Sequence, residues 1–214
     1  MLAALLPPKA VAVERRDDAD PAPLFPVEAA AVAGAVEKRR QEFATVRLCA
    51  RDALAVLGVP AVPLPPGPGG APTWPPGVVG SLTHCAGYRA AAVARATDLA
   101  GLGIDAEPDE PLPAGVLDLV SDPGERAALP TGGPRWDRLL FCAKEALYKA
   151  WYPLTGRWLG FEEARVTLAP DGTFTARVLV AGAEVDGHVR TAFDGRWLAA
   201  PGLLIASVAV NLTG

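Results

Sequence analysis

The hydrophobic and polar positions of this chain follow a helical period twice, and strand-like segments come after each helical stretch. Residues Glu28 to Leu57 contain no proline, are rich in Ala, Glu and Arg, and stop at Gly58. Glycine just past the last helical residue is a common helix terminator, so this pattern predicts one helix over 28–57. A second helix is predicted from Arg135 to Tyr152, where apolar residues recur in one stripe and Pro153 follows.

The segments that follow each predicted helix alternate as strands do. Three strands are predicted in "VVGSLTH", "RAAAVAR" and "LAGLGIDAEP", and the stretch "VPAVPLPPGPGGAPTWPPG" before them is predicted to be an extended surface loop. Short helices are expected near Val116–Leu119 and Pro123–Leu129. A hairpin turning at Asp171-Gly172 and a last pair of strands in "RWLAAPGLLIASVAV" complete the pattern. Helix then strands, twice, predicts an α+β protein of two similar halves divided near residues 105–113.

Composition and charge narrow the classes of function. Half of the 214 residues are apolar and the formal net charge is −4, which indicates a globular protein and disfavours a general nucleic-acid binder. The cysteines Cys49, Cys85 and Cys142 form no CxxC pair, which disfavours a disulfide framework or a zinc site and favours a reducing cytoplasm. We expect neither a signal peptide nor a membrane-spanning segment.

Two carboxylates end one of the predicted strands. In "GIDAEP", Asp105 and Glu107 are two positions apart, and strand side chains at that spacing point to the same face. Converging carboxylates repel each other unless a cation neutralises them, and Mg²⁺ suits one to three carboxylates together with substrate phosphates. The motif is weak alone, because two solvated loop acids give the same pattern.

The predicted helix segment "FCAKEALYKAWYP" carries a second candidate group. Glu145 and Lys149 are four residues apart, which is also the spacing of an ordinary surface ion pair. Phe141 and Tyr148 share the side of Glu145, so apolar or aromatic groups lie on nearly every face and the helix is expected to be covered. A covered glutamate between Lys144 and Lys149 requires a partner or a chemical role.

Side chains that suit phosphate oxygens lie in a third segment, "GSLTHC". Ser81, Thr83 and His84 follow a glycine there, and glycine permits close approach of a ligand. A lone histidine in a strand is also a common core residue, so both interpretations stay open.

The first predicted helix holds a set of arginines in "EKRRQEFATVRLCAR". Arg40, Arg47 and Arg51 fall near one face, with Arg39 adjacent, and a polyphosphate is a natural counter-ion for such a set. The alternative is a solvated basic face that is partly paired with acidic neighbours. Three carboxylates and several cationic side chains in one chain are typical of enzymes that transfer phosphoryl or phosphopantetheinyl groups.

Three segments, "WPPGVVGSLTHCAGYRAAAVA", "LGIDAEP" and "WDRLLFCAKEALYKAWYPLTGRWLGFEEA", occur in an order and spacing that resemble the Sfp-type 4'-phosphopantetheinyl transferases, above all their EntD-like actinobacterial branch. "KRRQEFATVRLCAR" fits the same branch, and the resemblance covers most of the chain. It implies a pseudo-dimeric α+β fold in which each subdomain has a small antiparallel sheet and a long helix. Residues 1–107 would bind the nucleotide of coenzyme A, and residues 108–214 would carry the catalytic helix and dock a carrier protein.

The resemblance also implies the reaction. A protein of this family transfers the 4'-phosphopantetheine group of coenzyme A to a serine of an apo acyl or peptidyl carrier protein and releases 3',5'-ADP. Polyketide, nonribosomal peptide or fatty-acid synthases are activated in this way. The expected enzyme is a cytoplasmic monomer that requires Mg²⁺, with Mn²⁺ as a substitute, and that binds neither nucleic acid nor membrane.

Site residues follow from the resemblance by position. The expected metal ligands are Asp105, Glu107 and Glu145, and the expected catalytic residues are Glu145, as general base, and Lys149, which stabilises developing charge. The residues expected to contact coenzyme A are Arg39, Arg47, Thr83, His84, Asp105, Lys144 and Lys149. The helical wheel favours Arg40 over Arg39. Relatives often carry Lys or Arg in the proline-rich loop where this chain has Pro66 and Gly69, so contacts there would come from the backbone.

Two other functions stay open at this point. A Mg²⁺-dependent hydrolase of coenzyme A or a nucleotide would use the same residues with water in place of serine. A non-catalytic carrier-binding module would have lost a carboxylate, whereas all three carboxylates and both lysines are present.

Overall fold

Two helices of 20 residues each, one in either half of the chain, cover the sheets of this protein. The structure is a computed structural model and describes residues 1–18 and 23–212. The helices are α1 (Pro26–Ala31), α2 (Glu37–Val56), α3 (Val116–Val120), α4 (Pro123–Ala127) and α5 (Trp136–Thr155). The strands are β1 (Val11–Arg15), β2 (Val78–Cys85), β3 (Tyr88–Arg95), β4 (Leu99–Pro108), β5 (Ala164–Leu168), β6 (Thr173–Val178), β7 (Ala183–Val185), β8 (His188–Arg190), β9 (Ala192–Ala200) and β10 (Leu203–Asn211).

Helix α2 packs on a three-stranded antiparallel sheet with the order β1-β3-β2. Small and branched side chains make this packing close: Cys49, Ala53 and Leu54 of the helix are buried against Ala91 and Val93 of β3. The residues of β3 are buried on both faces up to its last position, because the other face covers the second core of the protein.

Helix α5 packs on a five-stranded antiparallel sheet with the order β4-β10-β9-β6-β5. Its apolar stripe, which includes Leu139, Ala143 and Leu147, is completely buried in the core. A Cβ atom at Gly103 of β4 would meet the carbonyl oxygen of Ala146, so α5 lies directly on the strand backbone. This close approach brings the helix face with Glu145 and Lys149 beside the end of β4.

Side-chain hydroxyls join the two sheets where β2 lies beside β4. Ser81 Oγ accepts a hydrogen bond from Ile104 N at 3.0 Å, and Thr83 Oγ1 accepts one from Ala106 N at 3.0 Å. The residue numbers of the partners increase in the same direction, from Ser81 and Ile104 to Thr83 and Ala106, so β2 and β4 run parallel here. No backbone ladder joins these two strands, which belong to different sheets. Two polar residues in a buried strand thus connect the halves of the fold.

The structure confirms the α+β fold and the predicted strands β2, β3, β4, β9 and β10, the hairpin of β5 and β6, and the two short helices. Strands β1, β7 and β8 were not predicted. The predicted pseudo-dimer and the division into residues 1–107 and 108–214 stay predictions. All but the last residue of strand β4 precede that division, yet its backbone ladder is formed with β10.

Two predicted helix bounds were wrong. The helix predicted over 28–57 is two helices, because a turn that contains Gly34 separates α1 from α2, and glycine weakens a helix interior. Helix α5 continues through Pro153 to Thr155, because a proline in the last turn removes a single helical hydrogen bond. Gly156, in the left-handed conformation with φ 64°, then ends the helix. Within 1–18 and 23–212, no helix is long and apolar enough to cross a membrane.

Candidate active site

A cavity of about 920 Å³ lies between α2, β2, the proline-rich loop and α5. Six of the predicted site residues line it: Arg39, Arg47, Thr83, His84, Glu145 and Lys149. Residues from both halves of the sequence therefore share one cavity, with arginines on one side and the Glu145 face of α5 on the other. Such a cavity accommodates a ligand that carries phosphates at one end.

Helix α2 supplies the cationic side of the cavity. Arg39 is hydrogen-bonded to His84 Nε2, and burial, followed by the charge of Arg39, lowers the pKa of His84 to about 4. Arg47 is 5% exposed and donates from Nε to the carbonyl oxygen of Leu64 at 3.0 Å. Burial lowers the pKa of Arg47 to about 10, so its guanidinium is still charged at neutral pH.

The helical wheel was wrong about Arg40. Its guanidinium lies on the surface and donates to Glu37 Oε2 at 2.6 Å, outside the cavity. Arg39 takes the place in the cavity wall instead. Arg51 is also turned away from the cavity and pairs with Glu28 at 3.1 Å.

The carboxylate of Asp105 is the meeting point of three elements. Its Oδ1 accepts from Lys149 Nζ at 2.7 Å and from Thr83 Oγ1 at 3.2 Å. Its Oδ2 is buried and accepts no hydrogen bond from an N–H or O–H group of residues 1–18 and 23–212, and the buried thiol of Cys142 interacts with this carboxylate. The pKa of Glu145 is raised, first by burial and then by the charge of Asp105. The carboxylates of Asp105 and Glu145 are therefore close enough to repel each other.

Glu107 has a different counter-ion. Its Oε2 accepts from Arg138 Nη1 at 2.9 Å. Arg138 also donates to the carbonyl oxygens of Glu110 and Pro111, at 3.1 and 2.8 Å. Burial raises the pKa of Glu107, and the charge of Asp105 raises it further. Arg138 thus fixes both this carboxylate and the loop that follows β4.

The predicted ligand set Asp105, Glu107 and Glu145 is not assembled as a three-carboxylate metal site. The part of the chain that the structure describes contains no group of three His, Cys, Asp or Glu residues placed to hold a metal ion. Lys149 and Arg138 neutralise two of the three carboxylates instead. The residues nevertheless fit a hard cation, since Asp105 has a buried oxygen that accepts no N–H or O–H hydrogen bond, and carboxylate oxygens are the ligands that Mg²⁺ prefers.

The structure does not bring Lys144 to the cavity. Its Nζ is buried and donates to Glu125 Oε2, to Phe161 O and to Ala164 O, each at 2.8 Å. An ammonium has three hydrogens, so none is left for a phosphate. The hydroxyl hydrogen of Thr83 is likewise used, by Asp105, although this residue does line the cavity.

Aromatic walls of the cavity were not among the predicted site residues. Trp74, Tyr148 and Tyr152 line it, and Pro66 and Gly69 of the proline-rich loop do so as well. A Cβ atom at Gly69 would lie 2.8 Å from Cζ of Tyr152, so the loop backbone rests on that ring. The sequence does contain a signal for Tyr152. Arg138, Glu145 and Tyr152 are each seven residues apart, which places them on one face of a helix.

Comparison with known proteins agrees with this geometry. Residues 27–94 match the family model of the 4'-phosphopantetheinyl transferase N-terminal domain, and residues 101–200 match that of the 4'-phosphopantetheinyl transferase superfamily. The chain is 58% identical to 4'-phosphopantetheinyl transferase Svp of Streptomyces mobaraensis, over 98% of this chain and 89% of that protein.

Two further relatives cover most of the chain. 4'-Phosphopantetheinyl transferase PptT of Mycobacterium tuberculosis is 52% identical over 86% of this chain and 85% of its own length. 4'-Phosphopantetheinyl transferase Npt of Nocardia iowensis is 50% identical over 98% of this chain and 99% of its own. Identity at this level over nearly the whole length shows that the chain belongs to the 4'-phosphopantetheinyl transferase superfamily.

Proposed function

We propose that this protein transfers the 4'-phosphopantetheine group of coenzyme A to a serine of apo acyl or peptidyl carrier proteins and so activates polyketide, nonribosomal peptide or fatty-acid synthases. The observation that carries this proposal is the pair Glu145 and Lys149, which face one cavity together with Arg39 and Arg47. A carboxylate, an ammonium and two guanidiniums around one cavity suit a diphosphate ester and a hydroxyl nucleophile.

The nucleotide end of coenzyme A would lie at the cationic side of the cavity. Arg39 and Arg47 offer guanidinium groups to the phosphates of the 3'-phosphoadenosine, and His84 lies beside Arg39. The proline-rich loop has no basic side chain between Pro60 and Pro75, so its contribution would come from its backbone at Pro66 and Gly69. The arginines of α2 therefore carry most of the charge recognition.

A divalent cation, Mg²⁺ with Mn²⁺ as a substitute, would be held by Asp105 and Glu145, with Glu107 as the third carboxylate. When bound, the cation neutralises charge on the diphosphate of coenzyme A. The buried Oδ2 of Asp105 supports this assignment, because it accepts no N–H or O–H hydrogen bond and Lys149 contacts only the other oxygen of the carboxylate.

Glu145 would take the proton of the attacking serine. No described residue forms an ion pair or a hydrogen bond with its carboxylate, which lines the cavity and is therefore open to a hydroxyl, directly or through a water. The serine oxygen bonds to the phosphorus nearer the pantetheine, the bond from that phosphorus to the bridging oxygen breaks, and 3',5'-ADP leaves with the electron pair. Lys149 would stabilise the charge that develops on the bridging oxygen.

The carrier protein would dock beside the cavity. Trp158 is 67% exposed and packs on Tyr148 of the cavity wall, with ring centroids 4.9 Å apart, and the exposed Arg157 precedes it. Arg157 pairs with Glu163 at 2.7 Å but keeps 45% of its side chain exposed, and an apolar ring next to it suits a carrier that is acidic around its serine. We propose that the enzyme does this as a monomer in the cytoplasm.

The experiment is intact mass spectrometry of apo carrier proteins mixed with this chain, coenzyme A and Mg²⁺. A gain of about 340 Da, the mass of the transferred arm, is the expected result. Glu145→Gln should stay folded and bind coenzyme A but give no gain. Release of 3',5'-ADP without any carrier would indicate hydrolysis instead, and the absence of a mass gain on acyl and peptidyl carriers alike would overturn the proposal.

A further inference from the structure

Glu28 is a completely buried carboxylate that the proposed reaction does not use. It occupies the third position of α1, and its Oε2 accepts from Phe25 N at 2.9 Å, which closes the N-terminus of this short helix. Its two oxygens also accept from Arg51 Nη1 of α2, each at 3.1 Å. One carboxylate thus ties α1 to α2.

The same carboxylate reaches the proline-rich loop. Leu64 N donates to Glu28 Oε1 at 2.8 Å, and Leu64 O accepts from Arg47 Nε at 3.0 Å. The peptide groups of Leu64 are therefore clamped between an acidic and a basic side chain. Two residues later Pro66 begins the part of the loop that lines the cavity.

Arg47 is held from the same side. Its Nε lies 4.0 Å from Glu28 Oε1, its Nη1 donates to Phe43 O at 3.4 Å, and its guanidinium lies over the ring of Phe43 at 3.1 Å from the centroid. Burial and the charges of Arg39 and Arg51 disfavour the charged form of Arg47, whereas the charge of Glu28 favours it. The position of this cavity arginine therefore depends on Glu28, which lies beside its guanidinium and holds the same loop residue.

We propose that Glu28 is a positioning residue for coenzyme A, one that fixes Arg47 and the proline-rich loop as a single wall of the cavity. The inference rests on the proposed function, since it takes the cavity to be the nucleotide site. The proline-rich loop has no basic side chain of its own. Its position at the cavity is fixed by Glu28 and Arg47, which are hydrogen-bonded to the N–H and the carbonyl oxygen of Leu64.

The second half of the chain offers a matched control. Glu125 is the third residue of α4, follows Pro123 as Glu28 follows Pro26, and its Oε2 accepts from Asp122 N at 3.0 Å. It is 4% exposed, pairs with Lys144 of α5 and accepts from Val166 N at 2.7 Å. Neither Glu125 nor Lys144 lines the cavity. Glu125→Gln therefore breaks an equivalent buried ion pair without touching the nucleotide wall.

The test compares Glu28→Gln and Glu125→Gln in steady-state transfer to an apo carrier protein and in calorimetric titration with 3',5'-ADP. Both variants should unfold at lower temperature than the wild type. Only Glu28→Gln should raise the KM for coenzyme A and the Kd for 3',5'-ADP, by about fivefold to tenfold, with the KM for the carrier and kcat at saturating coenzyme A within about twofold of wild type. Glu28→Asp, which keeps the charge with a shorter reach, should lie between.

Equal KM values for coenzyme A in wild type and a folded Glu28→Gln would overturn the inference, and so would an equal rise in both variants. If Glu28→Gln yields no folded protein, Glu28→Asp decides: a raised KM for coenzyme A supports the positioning role, and an unchanged one overturns it. Failure of the wild-type chain to bind 3',5'-ADP would overturn the proposed function itself, and this inference with it.

Discussion

The ammonium of Lys149 lies 2.7 Å from Oδ1 of Asp105 and connects helix α5 to the end of strand β4. Burial alone would lower the pKa of Lys149, but the charges of Asp105 and Glu145 raise it overall, so the side chain stays protonated at neutral pH. The pair therefore fixes a positive charge at the edge of the cavity and neutralises a carboxylate that is 5% exposed.

Replacing Lys149 should affect both catalysis and folding. In Lys149→Met the charge on the bridging oxygen is no longer stabilised, and we expect kcat to fall by about 100-fold. Asp105 also loses its counter-ion, and the free energy of unfolding should fall by about 1–3 kcal/mol. Transfer assays and urea denaturation measure the two effects. Lys149→Arg, which keeps the charge, is the control. A Lys149→Met variant with more than about a tenth of the wild-type kcat would contradict the role.

Replacing Lys144 should affect folding alone. Lys144→Met leaves Glu125 buried without its counter-ion, which should lower the free energy of unfolding by about 3–5 kcal/mol. At a temperature where the variant is folded, the KM for coenzyme A should stay within about twofold of wild type. If the KM for coenzyme A rose while the free energy of unfolding stayed unchanged, the result would support the contact between Lys144 and phosphate that was expected from the sequence. The double variant with Glu125→Gln should regain part of the lost stability.

Neighbouring arginines of α2 should behave differently. Arg39→Ala removes a guanidinium from the cavity and should raise the KM for coenzyme A by about tenfold. Arg40→Ala removes only a solvent-screened surface pair with Glu37 and should leave the KM unchanged. Steady-state kinetics on both variants measure this difference. Equal effects would show that the cavity does not bind the nucleotide through Arg39.

Stability should depend on pH through His84. Its pKa is about 4 in the folded protein and about 6.5 when unfolded, because burial and the charge of Arg39 oppose protonation, while Glu42 alone favours it. The unfolded chain therefore binds the proton first. This contribution to stability is complete above about pH 6.5 and is lost as the pH falls towards 4.

The measurement is urea denaturation of wild type and of His84→Asn between about pH 4 and pH 7, the range that spans the folded and unfolded pKa values of the histidine. The wild type should lose more stability than the variant as the pH falls, because the amide of an asparagine side chain does not take up a proton in this range. Two profiles of the same slope would show that His84 titrates normally in the folded state.

The sequence was most informative where chemistry depends on local spacing. Asp105 and Glu107 share a strand face, and Glu145 and Lys149 share a helix face, so their directions follow from backbone geometry alone. The predicted strands were equally local, since alternation and turn residues determine them. Lys144 differs, because its partner Glu125 is 19 residues away in sequence and belongs to another helix. No periodicity in a single segment indicates which distant acid neutralises a buried lysine.

The arginines of α2 show a second limit. Arg40 is seven residues from Arg47, which places it near the same face of an ideal helix, but it lies in the first turn, where Glu37 is within reach. The helix start at Glu37 was not apparent in the sequence, because the pattern continued back to Glu28 as one helix. A helical wheel gives the direction of each residue but not the partner of its side chain, so it could not separate Arg40, which pairs with Glu37, from Arg39, which reaches His84.

The ladder between β4 and β10 has a consequence for producing the enzyme as two polypeptides. A cut after Glu107 would take the edge strand β4 away from the five-stranded sheet, and β10 in the fragment 108–214 would then expose unpaired backbone groups. A cut in the turn Ala96–Asp98 would leave both sheets with all their strands, and the hydroxyls of Ser81 and Thr83 could then rejoin the fragments. Two separately expressed fragments should therefore reassemble into an active enzyme when the chain is divided at that turn.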